Sequence, residues 1–458
     1  MQYSVVKLKS LFFENRLNPE TYHPEKLNFL SKLRNINHST LGKYFKKISK
    51  AYTPYNLRKL GYIKLLELEN ISSFKIKDIP ITDSKTVYSN KYSTKPNDVI
   101  ISRLRPYLKQ VDIIQERDVY VTTELVVLRQ KNELISSEYL YIFLSINYVQ
   151  KILYWSQEGT NHPRVPFFVI EDLPIPIFPL LSKNIQSIVS STQKLDKQSK
   201  ILYEETEELL LEELGLKDWK PKHQLSFVRN FSDTQKAQRL DAEYFQPKYD
   251  EIVEIIKSYK GGWSKLKALV KIADKNYKAD PSKEYSYIEL ADIGMNGEVI
   301  KYQPLLGNVL PSRAKRKVSF GNVIASSVEG SLSSIALIQD SNENNVCSNG
   351  FYVLSSEIIN SETLLILLKV IACQYQLKHG CSGTILTAIS RSELEKMILP
   401  KIQPAIQQEI AKKVRESHRL REESKRLLEV AKQAVEMAIE QNEEVATQWL
   451  EKNTSKKL

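Results

Sequence analysis

The sequence lacks the features that mark secreted and membrane proteins. It has only three cysteines in 458 residues, Cys347, Cys373 and Cys381, and no CxxC or His/Cys cluster accompanies them. This odd, scattered set supports neither a disulfide framework nor a zinc site. No apolar run reaches the ~18 residues of a membrane-spanning helix, and the first residues lack the apolar core of a signal peptide. We therefore expect a cytoplasmic protein without membrane contact.

Motifs for catalysis and nucleotide binding are also missing. The chain has no GxxxxGK[ST], GxGxxG or HExxH, and it lacks the Pro-Pro pair found in the Asp/Asn-Pro-Pro-Tyr box of amino-methyltransferases. Glu423-Ser424-Lys425 has the shape of a nuclease half-motif, but without an acidic partner we interpret it as a solvated helix face. Cys373 and Cys381 lie near His379, yet no orienting group for a thiol nucleophile is evident. The sequence predicts no catalytic site and no metal or other cofactor in this chain.

Glycine and proline are absent from two long segments, Ser182 to Leu214 and Ala405 to Leu450. Both segments are rich in Glu, Lys, Gln and Leu, which favour helices. Pro179 and Pro404 stand just before them, as is typical of helix starts. The sequence therefore predicts two long helices.

Apolar residues recur every seven positions in these segments, which indicates a coiled-coil seam. The seam residues are Ile188, Leu195, Leu202 and Leu209 in the first segment, and Leu420, Leu427 and Ala434 in the second. We expect the two helices to pair with each other through these residues. The alternative is that each helix packs on its own globule.

The chain also contains an internal repeat, with matching phrases in the same order at offsets of 222 to 225 residues. The matched pairs are Arg16–Pro24 with Arg239–Pro247, Leu66–Ile71 with Ile288–Ile293, Asn97–Ser102 with Gly321–Ser326, Gly159-Thr160 with Gly383-Thr384, and Pro176 and Pro179 with Pro400 and Pro404. Each copy contains short β-rich runs, a helical stretch and a closing long helix. Two tandem copies of one mixed α and β unit explain this order better than two unrelated domains.

Positive charge is concentrated in the first copy. The whole chain carries a net charge of +12, and residues 1–178 alone hold 26 Lys+Arg against 17 Asp+Glu. A basic surface fits a polyanionic partner, although charge alone also suits an ordinary basic protein.

Local phrases within the repeat point to a known family. Ser102-Arg103-Leu104-Arg105-Pro106-Tyr107-Leu108, Ser312–Lys315 followed by Gly321–Ile324, Arg239–Phe245, and Leu399-Pro400 followed by Pro404 and Ile406–Ile410 are the phrases in question. Together with the duplication, the basic globules and the missing catalytic motifs, they resemble the specificity subunits of type I restriction–modification systems. The first copy departs from the pattern at Asn18–Tyr22 and at Pro179–Ile185. The pattern therefore does not fix the exact boundary of the first long helix.

The resemblance implies an α+β fold of two tandem mixed α/β target-recognition domains, joined by two long antiparallel coiled-coil spacer helices with pseudo-twofold symmetry. It places the first recognition domain at residues 1–181, the first spacer helix at 182–220, the second recognition domain at 221–403 and the second spacer helix at 404–458. It further implies a bipartite double-stranded DNA target, with one half-site per domain. Two methyltransferase subunits and endonuclease/translocase subunits would be the partners, and S-adenosylmethionine, ATP and Mg²⁺ would belong to them.

Candidate DNA-binding residues follow from the side chains that contact phosphates and base edges. In the first copy they are Arg103, Arg105, Lys109, Asn161, His162 and Arg164, and in the second they are Arg313, Lys315, Arg316, Lys317, Ser382 and Thr384. Arg103-Leu104-Arg105-Pro106 aligns with Ser327-Val328-Glu329-Gly330, so the polar residues diverge while the surrounding sequence matches. Ordinary surface charges and simple Gly-Thr turns are the alternative interpretation at each position.

Three other functions stay open at this stage. A specificity subunit of a related type II-like or modification-only system would share all of these features. A stand-alone nuclease with an unrecognised site would need a catalytic cluster that the sequence does not reveal. A coiled-coil scaffold that does not bind DNA fits poorly with the basic first copy.

Overall fold

The computed structural model describes residues 19–273, 275–383 and 387–455. The chain divides into two compact units. Unit 1 combines residues 1–195 with 422–458, and unit 2 comprises residues 196–421. Each unit therefore contains one globule and one end of both long helices. Within the described ranges, no helix is both long and apolar enough to cross a membrane.

Unit 1 is built on two main sheets. One has the strand order Val111–Ile113, Val99–Ser102, Leu125–Gln130, Phe45–Lys47, and the other Ala51–Tyr52, Lys91–Ser93, Val119–Thr122, Tyr62–Leu66, Ile81–Asp83. Two small sheets pair His38–Thr40 with Pro174–Pro176, and Ile71–Ser72 with Lys75–Ile76. The helices of the globule are Pro24–Arg34, Leu41–Tyr44, Pro54–Arg58, Ser137–Ser145, Asn147–Tyr154 and Phe167–Glu171, with 3-10 turns at Pro19–Tyr22, Leu68–Asn70, Ser84–Thr86 and Pro106–Leu108.

Unit 2 repeats this plan. Its sheets have the orders Lys271–Ala273, Phe351–Ser355, Val323–Ser326, Ile335–Leu337, and Gln303–Leu306, Glu284–Ile288, Asn345–Ser348, Ala314–Lys317. Two small sheets pair Trp263–Lys265 with Ile398–Pro400, and Cys381–Ser382 with Ala388–Ile389. The helices are Phe231–Ala237, Pro247–Lys257, Leu266–Leu269, Ser361–Lys369, Ile371–His379 and Arg391–Lys396, with 3-10 turns at Leu290–Asp292 and Glu329–Ser331.

The two units share strand order and strand direction in both main sheets, apart from the edge strand Ala51–Tyr52 of the second sheet, which is described in unit 1 alone. In each, one strand of the second main sheet runs parallel to its neighbour, Val119–Val121 beside Lys64–Leu66 and Asn345–Cys347 beside Ser286–Ile288. The predicted α+β class and the two-unit repeat are thus confirmed. The first phrase of the repeat, Arg16 to Asn18, lies outside the described residues.

Each helical stretch predicted in the middle of a globule is divided in two. Ile146 and Val370 interrupt the helices with nearly identical extended backbone angles, φ −69° and ψ 156° at Ile146, and φ −69° and ψ 157° at Val370. The segment Ser137–Ser145 before the first break is buried along its whole length. A helix that is apolar on all sides belongs in a core, and this one packs in the main apolar cluster of unit 1.

The first long helix spans Pro179–Glu213 and the second spans Pro404–Glu440. A separate helix follows at Glu443–Thr454. The side chain of Asn442 accepts a hydrogen bond from the Val445 amide at 2.9 Å, and this cap begins the new helix. The second predicted helix is therefore two helices.

In unit 1, the end of the second long helix completes the core of the globule. Ala431, Ala434, Val435 and Ala438 pack in one apolar cluster with Leu181 and the globule's own buried residues. The Asn147 amide donates a hydrogen bond to Glu436 Oε1 at 2.9 Å. The alternative in which each helix packs only on its own globule is therefore wrong for unit 1.

In unit 2, the two long helices are antiparallel. Ser199 meets Ser417, their hydroxyls 3.0 Å apart, and further along the first helix Glu205 meets Lys413 at 2.7 Å. Numbering falls along one helix as it rises along the other, which defines the direction. Both serines are fully buried.

The buried stripe of the first long helix differs from the predicted seam. Ile188, Leu195, Leu202 and Leu209 are only half-buried, whereas Leu420, Leu427 and Ala434 on the second helix are buried. The fully buried stripe on the first helix consists of residues three, four or seven positions apart: Ile185, Val189, Thr192, Ser199, Tyr203, Thr206 and Leu210. Small hydroxyl residues line the contact at Ser199 and Ser417, because a leucine there would hold the backbones apart.

A leucine at Ser417 should disrupt this approach. Ser417 and Ser199 have no exposed surface, and overfilling a packed site costs about 1–3 kcal/mol. We expect Ser417→Leu to lower the free energy of unfolding by that amount, measured by chemical denaturation.

The free energy of unfolding of the double variant Ser199→Ala/Ser417→Ala should lie within about 1 kcal/mol of the parent's, because both partners of the hydrogen bond are removed together. Lys412→Leu on the exposed side is the control, and equal destabilisation by both leucines would contradict the close approach.

Candidate nucleic-acid interface

An exposed loop follows the strand Val99–Ser102 in unit 1. Arg105 and Lys109 both adopt left-handed backbone conformations, with φ of 49° and 54°. Such angles are uncommon for residues other than glycine and are held by the surrounding structure. Tyr107 is 50% exposed and Arg105 and Lys109 are exposed beside it. The loop therefore presents two cations and an aromatic ring to solvent.

A hairpin from Glu158 to Arg164 lies against this loop. The two end residues exchange backbone hydrogen bonds, each at 2.8 Å, and Gly159 takes a φ of 91° in the turn. Asn161 and His162 are exposed at its tip.

Backbone hydrogen bonds join the loop and the hairpin. The Arg105 amide donates to the Pro163 carbonyl at 2.8 Å, and the Val165 amide donates to the Arg103 carbonyl at 2.9 Å. Leu104 and Arg164 form a β-bridge. The two groups of residues nominated in the first copy therefore share one surface.

Two of the nominated arginines brace this surface. Arg103 Nε donates to the Val165 carbonyl at 2.9 Å. Arg164 makes a two-pronged ion pair with Glu124, with 2.7 Å between Nη2 and Oε1 and 3.1 Å between Nε and Oε2. The hydrogen bond from Arg164 lowers the pKa of the Glu124 carboxyl. Arg105, Lys109, Asn161 and His162 are left as the outward-facing members.

Unit 2 repeats these backbone contacts between loop and hairpin with different side chains. Val328 and Ala388 form the β-bridge, the Glu329 amide donates to the Thr387 carbonyl at 2.9 Å, and the Ile389 amide donates to Ser327 at 2.8 Å. Every one of these residues is numbered 224 above its counterpart in unit 1. Ser382 is exposed on the hairpin, whereas Thr384 lies outside the described residues.

Side-chain chemistry diverges at these matched positions. Arg103, Arg105 and Arg164 correspond to Ser327, Glu329 and Ala388. The Arg103 amide donates to the Glu124 carbonyl. In unit 2 the Ser327 amide donates to the Gly350 carbonyl in the same way. The bracing ion pair of unit 1 is therefore absent from the matching positions of unit 2. Glu329 was not nominated from the sequence, although the 224-residue offset places it opposite Arg105.

The basic run nominated in unit 2 lies on an edge strand. Arg313 pairs with Glu289 at 2.9 Å, and Arg316 donates to Asn276 Oδ1 at 2.8 Å. Lys317 stands 5.7 Å from the ring centre of Tyr277, and Lys315 is exposed.

Of this run, Arg313 is the member nearest the unit 2 loop. Its carbonyl accepts from the Asn349 amide at 2.8 Å, and neighbouring Gly350 accepts from Ser327. An equivalent ion pair joins Lys91 and Glu67 in unit 1, 222 positions earlier. The Arg313 pair is thus part of the repeated scaffold, while Lys315, Arg316 and Lys317 lie further along the strand.

Other groups that could carry catalysis are buried or paired. Burial raises the pKa of Cys373 to about 12 and that of Cys381 to about 11, so both remain thiols near neutral pH. Glu423 pairs with Arg426 at 2.6 Å and Lys425 with Glu422 at 2.8 Å on the second long helix. In the described part of the chain, no group of three or more His, Cys, Asp or Glu could hold a metal ion.

The difference between bracing and outward-facing arginines is testable. Arg164→Leu should raise amide hydrogen exchange across residues 158–165, because the leucine cannot hold Glu124. Arg105→Leu should leave exchange in that segment unchanged, since the backbone bond from residue 105 persists. Hydrogen–deuterium exchange mass spectrometry measures both, with Glu124→Gln as a second way to weaken the pair. Equal exchange in all variants would show that the ion pair does not order the hairpin.

Neither a protein-family profile nor a curated protein sequence matches the chain. Solved structures do match over most of its length. The HsdS subunit from Thermoanaerobacter tengcongensis is 15% identical, with a TM-score of 0.29 over 92% of this chain and 97% of that one. The type I restriction–modification S subunit from M. genitalium is 13% identical, with a TM-score of 0.40 over 91% and 96%. A chain from a study of complex assembly and conformational transition of the type I R-M system is 15% identical, with a TM-score of 0.30 over 92% and 98%. Sequence identity and TM-score are low in all three comparisons. Two of the matched structures are described as S subunits, the kind of protein that the sequence resembles.

Proposed function

We propose that this chain is the DNA-recognition subunit of a type I restriction–modification complex, and that it binds a bipartite target with one half-site per unit. The observation that carries the proposal is the loop and hairpin that occur twice, with the same backbone hydrogen bonds 224 residues apart and different polar side chains. One scaffold with two sets of side chains suits two readers of different sequences.

The exposed chemistry of the unit 1 surface supports DNA as the ligand. Arg105 and Lys109 can contact phosphates or guanine, and Asn161 can contact adenine. Tyr107 adds an exposed ring between the two cations. The excess of positive charge in residues 1–178 favours association with a polyanion.

In this proposal the chain recognises DNA and its partners perform the chemistry. Two methyltransferase subunits and endonuclease/translocase subunits bind it, and they bring S-adenosylmethionine, ATP and Mg²⁺. The paired long helices are the rigid elements on which such partners could assemble. The complex works in the cytoplasm, and a modification-only system would use the same subunit in the same way.

Purified chain should neither methylate nor cleave DNA, even with S-adenosylmethionine and Mg²⁺. With its methyltransferase subunits it should direct adenine methylation to one bipartite site, detected by incorporation of labelled methyl groups and by mapping of modified bases. Methyl transfer by the chain alone would contradict the proposal. Mg²⁺-dependent cleavage by the chain alone would favour the nuclease alternative.

A domain exchange should separate the two readers. Replacing residues 1–178 with the equivalent part of a homologue should change one half of the methylated motif and leave the other intact. The expectation follows because each unit has its own loop, hairpin and core. Methylome mapping in cells that carry each chimera gives the motif. A chimera in which both halves change at once would refute independent reading.

A further inference from the structure

Arg105 and Glu329 occupy the same place in the repeated scaffold. Each donates its amide hydrogen to the matching hairpin carbonyl, Arg105 to Pro163 at 2.8 Å and Glu329 to Thr387 at 2.9 Å. The turns that follow differ in register, because that of unit 1 spans Pro106–Leu108 after Arg105 and that of unit 2, Glu329–Ser331, begins at Glu329 itself. Arg105 has a left-handed φ of 49°, which Glu329 does not share. The two residues therefore share a hydrogen-bonded position of the scaffold, and their local backbone angles differ.

Three serine residues lie on the loop and hairpin around Glu329. Ser327 and Ser331 are half-buried beside it, and Ser382 is exposed on the adjoining hairpin. Ser331 is engaged with Ser326, with 2.9 Å between their hydroxyls. Glu329 itself is exposed, and within the described residues it forms no ion pair. A carboxylate with this exposure is available to an external partner.

An acidic side chain on a DNA-facing loop has few favourable contacts. It is repelled by phosphates, and ionised carboxylates only accept hydrogen bonds. In the major groove, guanine N7 and O6 and thymine O4 are acceptors, so they match arginine and not glutamate. The donors are the exocyclic amino groups of cytosine N4 and adenine N6.

We propose that Glu329 is a specificity-determining residue that accepts a hydrogen bond from the exocyclic amino group of one base in the half-site of unit 2. Arg105, at the matching point of unit 1, presents donors and reads the acceptors of guanine. This inference rests on the proposed DNA-recognition function. At this position of the repeat, unit 1 therefore presents hydrogen-bond donors to its half-site and unit 2 presents an acceptor.

The test replaces Glu329 in the full-length chain, assembled with its methyltransferase subunits, and maps methylated motifs. Glu329→Arg should change one letter of the unit 2 half-site to guanine, with a preference of about 10- to 100-fold over the original base. Glu329→Gln should relax the same letter towards adenine, since a glutamine amide both donates and accepts. The parental letter at this position shows whether cytosine or adenine supplies the amino group.

Glu343→Arg and Glu343→Gln are the matched controls, because Glu343 is an exposed glutamate of the same globule in the turn before Asn345–Ser348. They make the same charge changes and should leave every letter of the motif unchanged. Thermal unfolding of each complex confirms that the globule is intact, and Glu329→Gln carries the test where Glu329→Arg prevents assembly.

The outcomes separate this inference from the proposed function. Bipartite methylation by the parent with an unchanged motif in both Glu329 variants overturns the role of Glu329 alone. Changes in both half-sites from either Glu329 variant also overturn it, because a reading residue acts on one letter. Absence of any bipartite methylation by the parental complex overturns the proposed function itself.

Discussion

The close approach of the two long helices is the constraint on which both units depend. At Ser199 and Ser417 the hydroxyls meet in a fully buried contact, and small side chains are what allow two backbones to come this near. Each globule then uses helix surface as part of its own core. Ala431, Ala434 and Val435 do this in unit 1, and Tyr203, Leu210, Ile410 and Val414 in unit 2. The main apolar cluster of each globule therefore includes residues of both long helices.

At the candidate interface, the backbone contacts are the same in both units and the side chains differ. The bonds from Arg105 to Pro163 and from Glu329 to Thr387 fix a loop against a hairpin without using any side chain. Side chains at those positions are consequently free to change, as Arg105 and Glu329 do. Where unit 1 uses side chains for support, as Arg164 does with Glu124, those side chains are engaged within the unit. An arginine in the sequence is therefore a poor guide to contact with DNA until its partners are known.

The sequence pattern predicted the two long helices but only part of the residues that are buried between them. Seven-residue periodicity and the lack of glycine and proline predicted both helices, and on the second helix Leu420, Leu427 and Ala434 are buried as expected. On the first helix, leucines marked the seam in the sequence, but Thr192, Ser199 and Thr206 line it in the structure. The hydrophobic pattern located the leucines beside the seam. The short distance between the two helices admits only small side chains at its centre. The Thr206 hydroxyl donates to the local carbonyl of Leu202 at 2.6 Å, and the Ser199 hydroxyl meets that of Ser417 on the other helix.

The sequence by itself determined the duplication, the α+β class and the two long helices, because these follow from local composition and from order along the chain. Tertiary structure alone decided which nominated residues share a surface. Residues 103–109 and 158–165 are distant in sequence and meet through a backbone bridge and the hydrogen bonds beside it. It also decided that Arg164 is braced by Glu124. Ion pairs and bridges between distant segments depend on how the chain folds back on itself, and local sequence does not encode that.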